Sequence, residues 1–171
     1  MIALRDGAVT DLPRHLRILH VEDNPADAEL IHAALESEGV TVEARRVETR
    51  EEFLAALAEG SFDIILSDYA LPSFDGISAA RELRRRDVDI PMIVISGTLG
   101  EDRAVEALKA GATDFLGKQH LSRIAPAVAR AIEEARERTA LRRAEDELQE
   151  SRRFLQRVID ASPNLIYVFD L

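Results

Sequence analysis

The sequence predicts an α/β fold: a doubly wound, five-stranded parallel sheet with a long C-terminal helical extension. Three observations lead there. Short apolar runs alternate with segments of helical periodicity, five times in succession. Three of those runs are continuously apolar, as strands covered on both faces of a parallel sheet must be. Four of the runs end in acidic, hydroxyl or amine side chains, which a parallel sheet gathers at one edge.

The elements follow in order. Residues 1–15 are mixed in character, contain Pro13 and read as a loose lead-in. "LRILHV" (Leu16–Val21) is the first strand. "PADAELIHAALESEG" has Ala28, Ile31 and Leu35 at helical spacing and stops at Gly39. "VTVEARRVE" alternates, as an edge strand does. "REEFLAALAEG" is helical to Gly60. "FDIILSD" (Phe62–Asp68) is a second apolar run ending in acid. "DGISAARELRRR" is helical. "IPMIVIS" (Ile90–Ser96) is the most apolar run, with Pro91 tolerated at its start. "GEDRAVEALKAG" is helical to Gly111, and "TDFLGK" is a short last strand.

From Ser122 the character changes. Ser122–Asp160 carries nine arginines and eight acidic residues, lacks glycine, and keeps its one proline, Pro126, near the start. Ile124, Val128 and Ile132 can pack on the sheet. Further on, Leu141, Ala144, Leu148, Ser151, Leu155 and Val158 recur at alternating spacings of three and four, the seam of a short parallel coiled coil. A solvated helix packing on a neighbouring domain is the plainer alternative. Ser162-Pro163 then stops the helix, and Leu165–Phe169 reads as a strand with no sheet to join. The expected organisation is therefore a lead-in over 1–15, an α/β domain over 16–121, a helix over 122–161 and the start of a further domain over 162–171.

Composition limits the function. Of the 171 residues, 46% are hydrophobic and 32% charged, a soluble globular profile. No apolar run approaches the roughly 20 residues that span a bilayer, and the first residues do not resemble a signal peptide. A cytoplasmic protein without membrane contact is the simplest expectation. The absence of cysteine excludes a disulfide framework, a thiolate nucleophile and a cysteine zinc site. A formal charge of −10 argues against non-specific nucleic-acid binding by this segment. Lysine occurs only at 109 and 118 among many arginines, which suits a site that needs a compact ammonium.

The strand ends carry the chemistry. The first contributes Glu22 and Asp23, the third Asp68, the fourth Ser96 followed by Gly97, and the fifth Lys118. Singly, each has an ordinary explanation: a cap, a turn or a surface lysine. Together they place three carboxylates, a hydroxyl and an ammonium on one edge. Converging carboxylates call for a hard cation, and Mg²⁺ prefers oxygen ligands. A cation, an ammonium and a hydroxyl around a carboxylate suit a phosphoryl group. The carboxylate itself can be the nucleophile, and Asp68, alone on a central strand, is the best placed.

These motifs resemble the receiver domain of bacterial two-component response regulators over about residues 16–135. "VEDN" is similar to the family's acidic pair, "ILSDYALPSFDG" to its phosphoacceptor loop, "IVISGT" to its hydroxyl-bearing strand and "GATDFLGK" to its lysine strand. The resemblance implies a flavodoxin-like sheet of order 2-1-3-4-5. It implies that Asp68 accepts a phosphoryl group from a phosphohistidine on a sensor histidine kinase or phosphotransfer protein. Asp23, Asp68 and the backbone carbonyl of Ala70 would bind Mg²⁺, with Glu22 reaching it through water. Ser96 and Lys118 would contact the phosphoryl oxygens, and Gly97 would leave the site open. Ser96 and Phe115 would form the switch. Lys118 is followed by Gln119 rather than the family's usual proline, so a trans peptide is expected there.

"RRFLQRVIDASPNLIYVFDL" resembles the linker and first strand of a PAS sensor domain, an arrangement that commonly continues into a histidine kinase or diguanylate cyclase. The expected function is a non-enzymatic phosphoacceptor module that signals through its helix, forming a homodimer along the seam. Two rival readings are a receiver-like dimerisation scaffold without chemistry and an aspartyl-phosphate phosphatase of the haloacid-dehalogenase type. The second wants an aspartate two residues after the nucleophile, where this sequence has Ala70.

Overall fold

The structure is a computed structural model that describes residues 12–72, 74–97 and 100–161. Most of the lead-in, Thr98 and the PAS-like segment lie outside the described residues. Five strands, β1 (His15–Val21), β2 (Thr41–Val47), β3 (Ile64–Asp68), β4 (Met92–Ser96) and β5 (Asp114–Gly117), form one parallel sheet of order β2-β1-β3-β4-β5. The helices between them are α1 (Pro25–Glu36), α2 (Arg50–Glu59), α3 (Gly76–Arg85) and α4 (Glu101–Ala110). A 3₁₀ turn over Lys118–Arg123 then leads into α5 (Ile124–Ala161). The predicted fold class is the observed one. The strand that the sequence starts at Ile90 begins at Met92. Pro91, which has no N–H, stays outside it and lends its carbonyl to the Ile65 N–H at 2.9 Å.

Side-chain alternation assigns the two faces. Leu19, Val21, Ile65, Met92 and Val94 point to a core shared with Phe53 of α2, Ile77 and Leu83 of α3 and Ala107 of α4. Leu16, Ile18, Ile64, Leu66, Ile93 and Ile95 point the other way, onto Ile31 and Leu35 of α1 and Ile124, Val128 and Ile132 of α5. The central strands β1, β3 and β4 are thus covered on both sides. β2, at the edge, buries little of itself, and its sequence alternates accordingly.

Local signals set the helix starts. Asn24 caps α1 through its side-chain oxygen, which accepts from the Ala26 N–H at 3.0 Å, and Pro25 takes the first turn. Thr49 and Glu52 form a reciprocal capping box on α2. Asp75 caps α3 by accepting from the Ser78 N–H at 2.7 Å. Gly76 comes next, and its lack of a side chain is required: a Cβ there would lie 2.9 Å from the Asp68 carbonyl oxygen.

The chain divides into two units, residues 1–135 and 136–171. The first takes in the start of α5, whose Ala125, Val128, Ala131, Ile132 and Ala135 are buried. The described part of the second, residues 136–161, is helical and exposed except at the half-buried Thr139. There Leu141, Leu148, Leu155 and Val158 are exposed, as are Ala144 and Ser151 between them and Phe154 and Ile159 beside them. Among the described residues no helix is long and apolar enough to cross a membrane.

Candidate functional site

The sheet order fixes where the chemistry collects. The chain leaves β1 for β2 on one side, then returns to β3 on the other, so the ends of β1 and β3 flank a switch in direction. Glu22 and Asp23 follow β1, Asp68 ends β3, Ser96 ends β4 next to Gly117, and Lys118 follows β5.

Asp68 is held on both carboxylate oxygens. Its Oδ1 accepts from the backbone N–H of Ala70 at 2.9 Å, and its Oδ2 accepts from Lys118 Nζ at 2.6 Å. Lys118 also donates to Asp27 Oδ2 at 2.5 Å and to Glu22 Oε2 at 3.4 Å. Glu22 is buried, and its Oε1 accepts from the Asn24 N–H at 3.0 Å. Arg46, reaching over from β2, donates to the carbonyls of Glu22 at 2.8 Å and Asp23 at 3.3 Å while pairing with Glu48 at 2.6 Å. Its guanidinium therefore pins the turn that carries the acidic pair.

Electrostatics follow from burial and crowding. Desolvation raises the pKa of Glu22; the Asn24 N–H and the Lys118 charge offset part of this, and the charge of Asp68 adds to it. Burial by itself would lower the pKa of Lys118. Its bonds to Asp27 and Asp68, with the charges of Asp68 and Glu22, outweigh that and hold it above its ordinary range. The lysine stays charged. Two residues before Glu22, on β1, burial and then the neighbouring His32, Lys118 and Arg46 charges lower the pKa of His20 to about 3, so it is neutral. His20 Nδ1 lies 3.0 Å from His32 Nε2.

Glu22, Asp27 and Asp68 each offer a carboxylate oxygen, and the three lie within 4.8 Å of one another. Two unit charges at that spacing repel by about 3–4 kcal/mol at an effective dielectric near 20. Hard oxygen donors gathered around an ammonium fit a divalent cation of the Mg²⁺ kind.

The structure brings together Glu22, Asp68 and Lys118 from the sequence-predicted set. Asp23 is exposed beside them and stands outside the three-carboxylate cluster. Ser96 is buried at the end of the strand next to β3. Gly97 is exposed, and a Cβ placed on it would meet nothing within 4 Å. Ala70 is exposed and binds Asp68 through its N–H. Phe115 is half-buried on β5 and meets the Tyr69 ring edge-on, with centroids 6.4 Å apart. Tyr69 in turn donates its hydroxyl to Glu106 of α4 at 3.0 Å and lies under the Arg103 guanidinium. Among the described residues no peptide bond is cis, Lys118–Gln119 included.

Sequence reading missed Asp27, Arg46 and Gly76. Asp27 had one faint signal, its place four residues after Asp23 in the sequence.

A parallel α/β module with carboxylates and a lysine at its strand ends defines a class, the phosphoacceptor domains built around an aspartate. Residues 18–129 match the response regulator receiver domain, and the chain belongs to that family. It is 36% identical over 103 residues to the phosphate regulon transcriptional regulatory protein PhoB of Pseudomonas aeruginosa, covering 59% of this chain. It is 38% identical over 101 residues to the KDP operon transcriptional regulatory protein KdpE of Escherichia coli, again over 59% of this chain. The chain spans 44% of the length of each of these two relatives. Among solved structures it is similar to the receiver domain of the sensor histidine kinase PA1611 of P. aeruginosa, which has a magnesium ion coordinated in its active-site cleft. That match has 32% identity and a TM-score of 0.55, over 70% of this chain and 98% of the other. The family makes this domain a phosphorylation-dependent signalling module and a phosphoacceptor rather than an enzyme. Neither the chemically silent scaffold nor the phosphatase is favoured.

Proposed function

We propose that Asp68 receives a phosphoryl group from a phosphohistidine on a sensor histidine kinase or phosphotransfer protein, and that the change is passed through α5 to a downstream output domain. One observation carries the reading. The Lys118 ammonium sits on the Asp68 carboxylate at the end of a central strand, with the buried Glu22 beside it. A lysine so placed can follow negative charge as it moves from the carboxylate to phosphoryl oxygens.

The transfer balances without further reactants. An Asp68 oxygen forms the bond to phosphorus as the phosphorus–nitrogen bond to the donor imidazole breaks. The imidazole nitrogen leaves with the electron pair, and the product is an acyl phosphate. When bound, Mg²⁺ neutralises phosphoryl oxygens; Asp23, Asp68 and the Ala70 carbonyl are its proposed direct ligands, with Glu22 acting through water. The Ala70 N–H orients Asp68, and Lys118 and Ser96 donate to the transferred group. Gly97 leaves room for it. Ser96 and Phe115 form the switch, with Tyr69 linking the acceptor loop to α4.

The seam Leu141, Ala144, Leu148, Ser151, Leu155 and Val158 is proposed to pair with a second copy as a parallel coiled coil. Its exposed leucines support that reading, since apolar side chains at heptad spacing gain by mutual burial. The proposed setting is cytoplasmic, with the 162–171 segment opening a PAS domain and a kinase or cyclase beyond it.

Incubation with Mg²⁺ and a small phosphodonor tests the acceptor. The expected result is a mass gain of one phosphoryl group that Asp68→Asn abolishes. No gain, or a gain that survives the substitution, contradicts the proposal. Sedimentation tests the seam: a dimer is expected, and Leu148→Glu should return it to monomer. A wild-type monomer rejects the pairing.

A further inference from the structure

An ammonium has three N–H donors, and Lys118 has a carboxylate oxygen for each: Asp27 at 2.5 Å, Asp68 at 2.6 Å and Glu22 at 3.4 Å. These are the same three carboxylates that lie close enough to share a metal ion. The lysine therefore stands where a divalent cation would meet Glu22 and Asp68, and two cations cannot keep the same oxygens. The three partners differ in depth. The Glu22 side chain is 1% exposed, Asp68 12% and Asp27 36%. Mg²⁺ uses one or two protein carboxylates and keeps several waters. A cation settling at the strand ends thus repels the ammonium outward, and the outermost carboxylate is Asp27. That residue sits in the first turn of α1, on a different element from the strand-end turns. The lysine stem is long and flexible enough to move toward it.

We infer that Asp27 is a positioning residue for Lys118: it retains the ammonium at the rim of the site when a divalent cation takes Asp68 and the acidic pair. The lysine then remains within reach of a phosphoryl group on Asp68. This rests on the proposed function above, but it can be tested without phosphorylation.

Without the Asp27 carboxylate, the lysine's remaining partners are the ones the cation needs. Bound Mg²⁺ must then drive the ammonium into solvent. Loss of one nearby negative charge weakens cation binding by a factor that does not depend on Lys118. Loss of the lysine's holding point adds a penalty only when Lys118 is present. A double-mutant cycle separates the two.

The experiment is calorimetric titration of Mg²⁺ into the full chain for wild type, Asp27→Asn, Lys118→Met, the double variant and Asp27→Glu, each first checked for a cooperative melt. Asp27→Asn is expected to weaken binding about tenfold with Lys118 present, and about threefold or less in the Lys118→Met background. Asp27→Glu, which keeps the charge, should restore most of the loss. A second readout follows the lysine itself. Lysine occurs only at 109 and 118, so labelled lysine gives two side-chain ammonium signals. The Lys118 signal should stay protected from solvent exchange in Mg²⁺-saturated wild type and in Asp27→Glu, and be lost in Asp27→Asn. Equal weakening in both backgrounds overturns the inference, as does loss of the Lys118 signal in Mg²⁺-bound wild type or no Mg²⁺ binding at all. If the cycle is coupled while Asp68 takes no phosphoryl group, the acceptor reading fails and the inference stands. If phosphorylation proceeds while the cycle is additive, the reverse holds.

Discussion

Replacing Gly76 by alanine places a Cβ 2.9 Å from the carbonyl oxygen of Asp68, 3.2 Å from Ser67 Oγ and 3.2 Å from Val94 Cγ1. The first contact is shorter than real Cβ atoms tolerate, and its partner is backbone. Neither neighbouring strand yields easily: Ser67 and Val94 are buried on adjacent central strands, and Ser67 Oγ already donates to the Asp68 carbonyl at 3.1 Å. Overpacking of this kind costs about 1–3 kcal/mol. Alanine recovers about 0.5–1 kcal/mol of helix propensity over glycine, less at a first turn. The net expectation is a loss of about 1–2 kcal/mol. The motion that relieves the clash shifts α3 or the Asp68 backbone, so the acceptor should also react more slowly with a saturating small phosphodonor. Urea denaturation followed by circular dichroism measures the first effect, and rapid-quench phosphorylation the second. A Gly76→Ala protein as stable as wild type, or more so, would refute the close-packing argument.

Other residues make separable predictions. Arg46→Ala frees the carbonyls of Glu22 and Asp23 from their shared donor, and Mg²⁺ affinity should fall about tenfold, as is typical when an outer partner of a metal site is lost; calorimetric titration checks this. Glu82 accepts from Arg50 at 2.7 Å with Arg85 and Arg86 close by, and these contacts, Arg50 foremost, hold its pKa below the ordinary carboxylate value. A folded-state value below the unfolded one contributes stability at neutral pH that is lost as pH falls through the folded value. Glu82→Gln should therefore be less stable than wild type at neutral pH, with the gap closing in acid; urea midpoints across pH test it, and a pH-independent gap would contradict it.

Much of the fold was legible because parallel strands covered on both faces leave nearly continuous apolar runs, as Ile64–Leu66 and Met92–Ile95 do, and Ile18–Val21 with the buried His20 as its one interruption. The strand-end residues followed from topology alone, since every parallel strand ends on the same edge. Asp27 was not legible for the opposite reason. An acidic residue in a helix's first turn already has a reason to be there, the partial positive charge of the helix N-terminus. Only the packing of α1 against the 3₁₀ turn that follows β5 brings it to Lys118, 91 residues away. Arg46 was hidden likewise, because an arginine on an exposed edge strand reads as surface until its partners prove to be backbone carbonyls across the strand pair. Gly76 followed an aspartate in a turn-like setting, and sequence alone does not distinguish a turn glycine from one against which another backbone packs. The 3₁₀ turn Lys118–Arg123 was equally unmarked; it fills the interval where the sequence passes from the lysine strand into the long helix.

Whether Asp68 is the phosphoryl acceptor is decided by transfer of a labelled phosphoryl group from a phosphohistidine-bearing phosphotransfer protein to the full chain in the presence of Mg²⁺. The expected result is acid-stable, base-labile label, mapped by peptide analysis to Asp68 and absent from Asp68→Asn. Label on another residue, or undiminished label in Asp68→Asn, would contradict it.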